Sequence, residues 1–379
     1  MRKLQKHLPK LVLLTVLLYL LYTTTTTTSN QPKPKNTIIY PWRKIKYVSP
    51  TTESVPENGV CKGLKRTSKP ALVVSRVESD GDETWLDGLR DKYHICLYHV
   101  PSSSSSQEKQ PGGKGKRLKD FFSTRKELTT PANKGHESMA YLTFLIENYD
   151  NLPANGIVFV HGSRLAWHND HPDYDNVALL RDLDIPSAVH ETGYHNLRCD
   201  WSLSTCPASV PPQGGYDTAF KALLQPWSLR AVSDAAMPRA LEALFGPGAK
   251  LGRRHTLRAQ CCAQFVVRPE NVRRHSREEY VALRRWLLDA GVWGRAAPLD
   301  DRVSGRVLSY LWHVLFLGDG VDGVGGGTGS EGVDLERLNE RACPSVESCY
   351  CKLYGRCGLV CGTGSCGVYR LPEGLKVGT

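Results

Sequence analysis

The 379-residue chain lacks the short motifs that mark the commonest catalytic sites. It has no P-loop, no G-x-S-x-G and no H-E-x-x-H. That excludes the Walker phosphate cradle, the nucleophile elbow and the zincin helix. It has no N-x-S/T glycosylation sequon and no internal repeat, so a solenoid is excluded. Its first 50 residues contain no Asp or Glu, against nine Lys and Arg. It also lacks a concentrated basic run in the body of the chain. The fourteen arginines of residues 230–306 are interleaved with eight acidic residues. The net charge of +11 is therefore not a nucleic-acid footprint. Arginine in that pattern suits solvated faces, ion pairs or anionic ligands.

What is present at the N-terminus is a targeting pattern. Arg2, Lys3, Lys6 and Lys10 precede Leu11–Tyr22, where only Thr15 is polar, and Thr23–Thr28 follow. A basic opening before an apolar stretch is an export signal. Twelve apolar residues suit a cleavable signal peptide, but the threonines extend the stretch to about 18, enough for a thin early-secretory membrane. No small-x-small cleavage site follows Tyr22, which favours a retained signal anchor over residues 1–28. The charge bias places the N-terminus in the cytosol. The expectation is a type II protein of the Golgi or ER membrane, held through residues 11–28, with a lumenal domain. Cleavage would make it secreted or wall-associated.

Twelve cysteines all follow this segment, six of them between Cys343 and Cys366. An even count in an exported chain reads as disulfides. The tail spacings lack the paired C-x-x-C of a zinc ribbon. Six cysteines alone allow 15 pairings, so connectivity stays open.

The chain divides into the anchor, a polar stalk over 29–69, a globular domain over 70–318, a glycine-rich linker over 319–332 and a cysteine-rich tail over 333–379. Residues 101–117 read as a disordered surface insertion. Ala71–Ser75, His94–Val100 and Ile157–Val160 are apolar runs of strand length. Glu83–Arg90 suggests a helix. Glu137–Tyr149 carries Met139, Leu142, Leu145, Ile146 and Tyr149 on one helical face. Ser276-Arg-Glu-Glu279 is a capping box opening a helix through Leu288, and Val303–Phe316 reads as one more helix. Alternating strands and helices predict a single α/β domain with a mainly parallel sheet. Such sheets bind ligands at the carboxyl ends of strands, which groups Ser75-Arg76, His99 and His161-Gly162.

Several stretches resemble one known family. They are LVVSR with Glu83-Thr-Trp-Leu86, Asn133-Lys-Gly135, Glu147-Asn-Tyr-Asp150 and Phe159-Val-His-Gly162 with Trp167-His168. Further on come Cys261-Cys-Ala-Gln-Phe265, Tyr310-Leu-Trp-His313 and Cys349-Tyr-Cys351. The pattern, over roughly 71–360, is similar to the fungal family called domain of unknown function 3431. Its layout is also similar to nucleotide-sugar transferases of the GT-A type, which implies a GT-A or Rossmann-like sheet, a nucleotide-sugar donor and a glycan acceptor. Three departures stand out. Where a GT-A enzyme ends its central strand with Asp-x-Asp, this chain has His161-Gly162-Ser163, which puts a divalent metal in doubt. Ser309 stands where the family places an acidic residue before Tyr-Trp-His. Val77–Asp82 and 101–117 look inserted.

The candidate catalytic residues are His161, at the end of a buried strand, and His313. The candidate substrate-binding residues are Ser75, Arg76, Asn133, Lys134, Gly135, Gly162 and Gln264. Backbone N–H groups at the helix start after Asn133-Lys134-Gly135 favour an anion, which Lys134 would reinforce. His161, His168, Asp170, His171, Asp173 and Asp175 crowd fifteen positions without any standard metal spacing. Cys261 and Cys262 read as structural disulfide cysteines rather than nucleophiles. Three functions are compatible: a glycosyltransferase-like lumenal enzyme, a non-catalytic carbohydrate-binding protein on the same fold, and a metal-dependent hydrolase using the His/Asp loop.

Overall fold

Two apolar runs, ALVVS and IVFV, set the centre of the molecule. Both are buried on each side, as strands covered on both faces must be. The computed structural model describes residues 38–51, 58–101, 127–291, 295–317, 332–362 and 364–367. The expected anchor, the 101–117 insertion beyond Pro101 and nearly all of the glycine linker lie outside them. Among the described residues, no helix is long and apolar enough to cross a membrane.

The strands are β1 (Ile39–Tyr40), β2 (Ala71–Arg76), β3 (His94–His99), β4 (Leu128–Thr129), β5 (Ile157–His161), β6 (Tyr194–Asn196), β7 (Phe265–Val267) and β8 (Val333–Asp334). Six of them form one sheet in the order β4-β3-β2-β5-β7-β6. The first four are mutually parallel, and β7 runs antiparallel to both β5 and β6. The fold is therefore mixed α/β with a mostly parallel sheet, as the alternation of elements predicts.

The described helices are α1 (Glu137–Glu147), α2 (Asn176–Asp182), α3 (Ile185–Val189), α4 (Tyr216–Leu224), α5 (Leu229–Phe245) and α6 (Pro269–Val272). Then follow α7 (Arg277–Leu288), α8 (Asp301–Ser309), α9 (Trp312–Phe316), α10 (Leu335–Ala342) and α11 (Val346–Tyr354). Side chains alternate across a strand, so the two faces of the sheet can be separated. Phe159 packs against Tyr141 and edge-to-face with Phe144 of α1, and Phe265 meets Trp312 of α9. Leu72, Val74, Val158 and Val160 point the other way, into a cluster with Trp85, Leu180, Tyr350 and Leu353.

Local expectations are met with three differences. Glu83–Arg90 forms a 3-10 turn over Thr84–Leu89, because Trp85, Leu86 and Leu89 must all reach the core. α1 is buried almost all round rather than on one stripe, since α7 and α8 cover the side turned from the sheet. The helix predicted over Val303–Phe316 is two helices. Leu311 N–H bonds to Leu308 one residue too early, which tightens the turn at Tyr310–Leu311. The Ser276 capping box is formed as expected.

The segments read as stalk and tail lie against this domain where they are described. Trp42 is buried and its indole N–H donates to Ala249 O at 2.8 Å. β1 pairs with β8. α11 supplies Val346, Tyr350, Leu353 and Tyr354 to the core. All twelve cysteines are bridged: Cys61–Cys96, Cys199–Cys349, Cys206–Cys343, Cys261–Cys262, Cys351–Cys357 and Cys361–Cys366. Two of the six tail cysteines thus tie the tail to the 199–206 segment.

Candidate functional site

The register of the parallel strands brings four expected residues into a row. Ser75 pairs with His161 and Arg76 with His99, all at the carboxyl ends. What these side chains then do differs from one to the next.

Arg76 holds a loop. Its guanidinium donates to Gly81 O at 2.7 Å, lies 3.5 Å from the His99 ring and 3.5 Å from the Glu83 carboxylate. The expected substrate cation is therefore engaged with the 77–82 segment that looks inserted in the sequence, and with Glu83 just after it. Gly162 serves the same loop. A Cβ there would stand 2.5 Å from the Asp80 carboxylate and 2.8 Å from Arg76 Cα, so only glycine lets the loop cross. Its carbonyl accepts the Trp85 indole N–H at 3.2 Å, and Ser163 Oγ donates to Asp80 at 2.7 Å. Ser75 is buried beneath.

Gln264 is also internal. Its side-chain oxygen accepts from His161 N–H at 3.4 Å and from Asn176 at 3.2 Å, while its amide donates to Asn169 at 3.0 Å. Both ends of the amide are engaged in holding β7 to β5 and the following loop.

The helix start is occupied by acids. Gly135 N–H donates to Asp301, and Glu137 is the first residue of α1. Gly135 has φ +67°, and a Cβ would meet Leu287 at 2.7 Å, which explains the glycine. Two carboxylates already complement the positive end of the helix dipole. A diphosphate arriving beside half-buried Asn133 and Lys134 would meet like charge, so the expectation of an anion at this helix start is not supported by its surroundings.

His161 is different. Its Nε2 lies 2.7 Å from Cys262 O. A carbonyl only accepts, so Nε2 carries a proton and Nδ1 is the basic nitrogen of the neutral ring. Nδ1 faces the Glu137 carboxylate at 3.8 Å, and the ring sits edge-on to His168 with centroids 4.5 Å apart. The carbonyl that orients it comes from the Cys261–Cys262 bridge, where Cys262 and Ala263 both have positive φ, 92° and 49°. His168 Nε2 is closed to solvent and makes no hydrogen bond among the described residues. Burial, then the neighbouring His161 and Arg198, hold the His168 ring well below the usual imidazole range. Tyr141 Oη is likewise closed off and without a partner. Burial, and next the Glu137 charge, push that phenol far up. A carboxylate and two imidazoles thus meet at one end of the sheet, with the fully buried Tyr141 phenol feeling the same carboxylate, and His168 and Tyr141 each keep an unanswered polar atom. Such atoms ordinarily face water or a polar ligand.

The remaining loop residues are structural. Asp170 accepts from Cys199 N–H at 2.6 Å and from Tyr350 Oη at 3.1 Å, Asp175 caps α2 and pairs with Arg164, and His171 Nδ1 accepts from Asp173 N–H. Among the described residues, the one convergent set of three metal-type ligands is Cys61, His94 and Cys96. Its two sulfurs are joined in a disulfide, which leaves no thiolate to bind an ion.

His313 stands apart and is a core histidine, not a catalytic one. It is 3% exposed within α9, and burial drives its pKa down to about 3. His195 is held down to about 4, by burial first and by Lys352. Both folded values lie below the unfolded imidazole value near 6.5, so the unfolded chain takes up protons first as pH falls. Stability is unaffected by them above about pH 6.5 and is lost from there toward about pH 4 for His195 and about pH 3 for His313. These two groups alone cost about 2.7 kcal/mol per pH unit, or roughly 4 kcal/mol at pH 5, and His168, also held low, adds to the loss. The lowered carboxylates Asp175 and Glu279 act below this window. The melting temperature should therefore drop between pH 7 and pH 5, and His313→Leu should remove about a third of the histidine part of the slope. An unchanged slope in that variant would mean that His313 is protonated in the fold.

Sequence reading singled out His161 but missed Glu137 and Tyr141. The only available signal for Glu137 was its place as first residue of a helix beginning at that sheet edge.

The family model described as protein of unknown function (DUF3431) matches residues 72–352. No curated protein and no solved structure matches the chain.

Proposed function

Because the chain belongs to the family of unknown function DUF3431, we propose its function from the site itself: a glycosyltransferase-like enzyme that moves a sugar onto a glycan hydroxyl. The observation that carries the reading is the pose of His161, with Nε2 tied to Cys262 O and Nδ1 turned to Glu137. Attack by a sugar hydroxyl needs a base positioned for its proton, and a His–carboxylate pair whose tautomer is fixed meets that need. His161 would accept the acceptor's proton, Glu137 would stabilise the imidazolium, His168 would meet a sugar hydroxyl, and the donor's nucleoside diphosphate would leave with the electron pair of the broken glycosidic bond. The mostly parallel sheet, with its ligand edge at the strand ends, is compatible with a GT-A-like or Rossmann-like layout. Six disulfides are consistent with the lumenal, membrane-anchored placement expected from the N-terminus.

A second reading, a carbohydrate-binding protein without catalysis, is favoured by two positions. The central strand ends in His161-Gly162-Ser163 rather than Asp-x-Asp. Ser309 Oγ is bonded to Arg306 O at 2.7 Å, so no base stands there.

Thermal-shift titration of the purified protein against nucleotide sugars, with and without manganese, separates the two. A donor at a hundred times its dissociation constant adds about 2.7 kcal/mol of stability, several degrees of melting temperature. A shift with one nucleotide sugar supports the enzyme. A shift with free oligosaccharides alone supports the binder, and no shift with either removes both.

A further inference from the structure

α4 is amphipathic in the wrong direction for a helix that only packs inward. Tyr216, Phe220, Leu223 and Leu224 recur at spacings of three and four, so they share one face, and all four are exposed. Trp227, just beyond the helix, and Leu299 extend the patch. Tyr216, Leu223 and Trp227 expose 70%, 75% and 73% of their surface. Leu223 and Leu299 line one groove, together with Pro226, Ala236, Arg239 and Arg295. Lys221, Arg239, Arg253 and Arg295 are exposed around it, with Asp217 as the acid on the helix. The Arg253 guanidinium lies over the Tyr216 ring, 4.4 Å from its centroid.

The position of this face in the chain decides what it meets. The chain enters the described domain at Ile39–Tyr40, and Tyr40 Oη accepts from Gly252 N–H at 2.8 Å. Gly252 and Arg253 adjoin both Gly214 and Tyr216. The apolar face therefore begins beside the point where the N-terminal segment leaves. Ten residues separate Thr28 from Ile39, and ten residues span at most about 35 Å. If residues 11–28 lie in a membrane, this end of the domain stays within that reach of the lipid surface.

We propose that the α4 face is a membrane-docking surface that lays the domain on the bilayer with Phe220, Leu223, Leu224 and Trp227 at the headgroup–acyl boundary. Aromatic and leucine side chains ringed by cations are the composition of interfacial helices. A nine-residue helix is far too short to span a membrane, so it lies in the plane. The surrounding arginines match anionic headgroups. Docking would turn the domain's orientation from free to fixed. The inference rests on the anchor reading but not on the glycosyltransferase reading.

The test uses the full chain reconstituted in liposomes that contain brominated phosphatidylcholine, with and without phosphatidylserine. Tryptophan emission should be quenched, the quenched component should vanish in Trp227→Phe, and phosphatidylserine should strengthen it at low salt. Phe220→Ser with Leu223→Ser should lower the docked-to-free ratio roughly a hundredfold or more, because two large apolar side chains are lost from the lipid contact. An unchanged melting temperature certifies the fold of these surface variants. Quenching that Trp227→Phe leaves intact overturns the proposal. So does an absence of quenching accompanied by cross-linked dimers that the double variant abolishes, since the face would then join two copies of the chain. The readout involves no turnover, so its failure leaves the proposed activity standing.

Discussion

Cys349→Ser is expected to destabilise the protein by about 3 kcal/mol, less than its place in the sequence suggests. Cys199–Cys349 spans 150 residues, and a loop of that order, closed by itself, would be worth about 5 kcal/mol in the chain-entropy account. Cys206–Cys343 spans 137 residues beside it. With that second bridge intact, losing the first opens only a ring of about 14 residues, and a ring of that size is worth about 3 kcal/mol. The same holds for Cys343→Ser. Removing both should cost clearly more than the two single losses combined, because the long loop is then free. Both Cys199 and Cys349 are fully buried in the cluster beneath the sheet, so the serine also places a hydroxyl among apolar side chains. Melts of the two single variants and the double variant measure this. Strict additivity would refute the shared-loop account. Non-reducing peptide mapping should recover the 199–349 and 206–343 linkages. In cells the double variant should be retained and degraded, because such a loss consumes much of a stability of 5–15 kcal/mol.

His161→Ala should lower turnover on a confirmed donor and acceptor by a hundredfold or more, while donor affinity changes far less. A positioned general base contributes about 10²–10⁴ in rate, and an effect confined to the transition state appears in turnover rather than in binding. Glu137→Gln keeps the shape and removes the charge facing Nδ1, so it should also reduce turnover, by a smaller factor. Because Glu137 acts through the ring, its variant should shift the acid limb of the pH–rate profile, which a merely structural residue would not do. The alanine leaves Cys262 O without its donor, at a cost of about 1–3 kcal/mol at most. Folding should therefore survive, and a melt confirms it. Equal losses in turnover and affinity would point to the carbohydrate-binding reading.

Much of the architecture was legible because its signals are local. Ala71–Ser75 and Ile157–Val160 are apolar without alternation, which only a strand buried on both faces tolerates, and the parallel sheet follows from the helices between them. The Ser276 box works through its own backbone. His161 could be found because it ends such a strand beside a glycine. Gly162 misled for a related reason: a glycine at a strand end reads equally as room for a ligand or room for another backbone. Here the 77–83 loop takes the space.

The sequence by itself determined the central parallel strands, the helices opening at Glu137 and Ser276 and the all-disulfide use of cysteine, because each follows from neighbouring residues or from composition. Tertiary structure alone decided the rest. It paired Cys349 with Cys199 and drew the supposed tail into the core. It tied Arg76 to its own loop, buried His313, and set Glu137 beside a histidine 24 positions away. Whether a charge or an imidazole stays available for chemistry depends on which partners the folded chain brings within a few ångströms. Those partners come from β-strand register and helix packing, which no local pattern encodes.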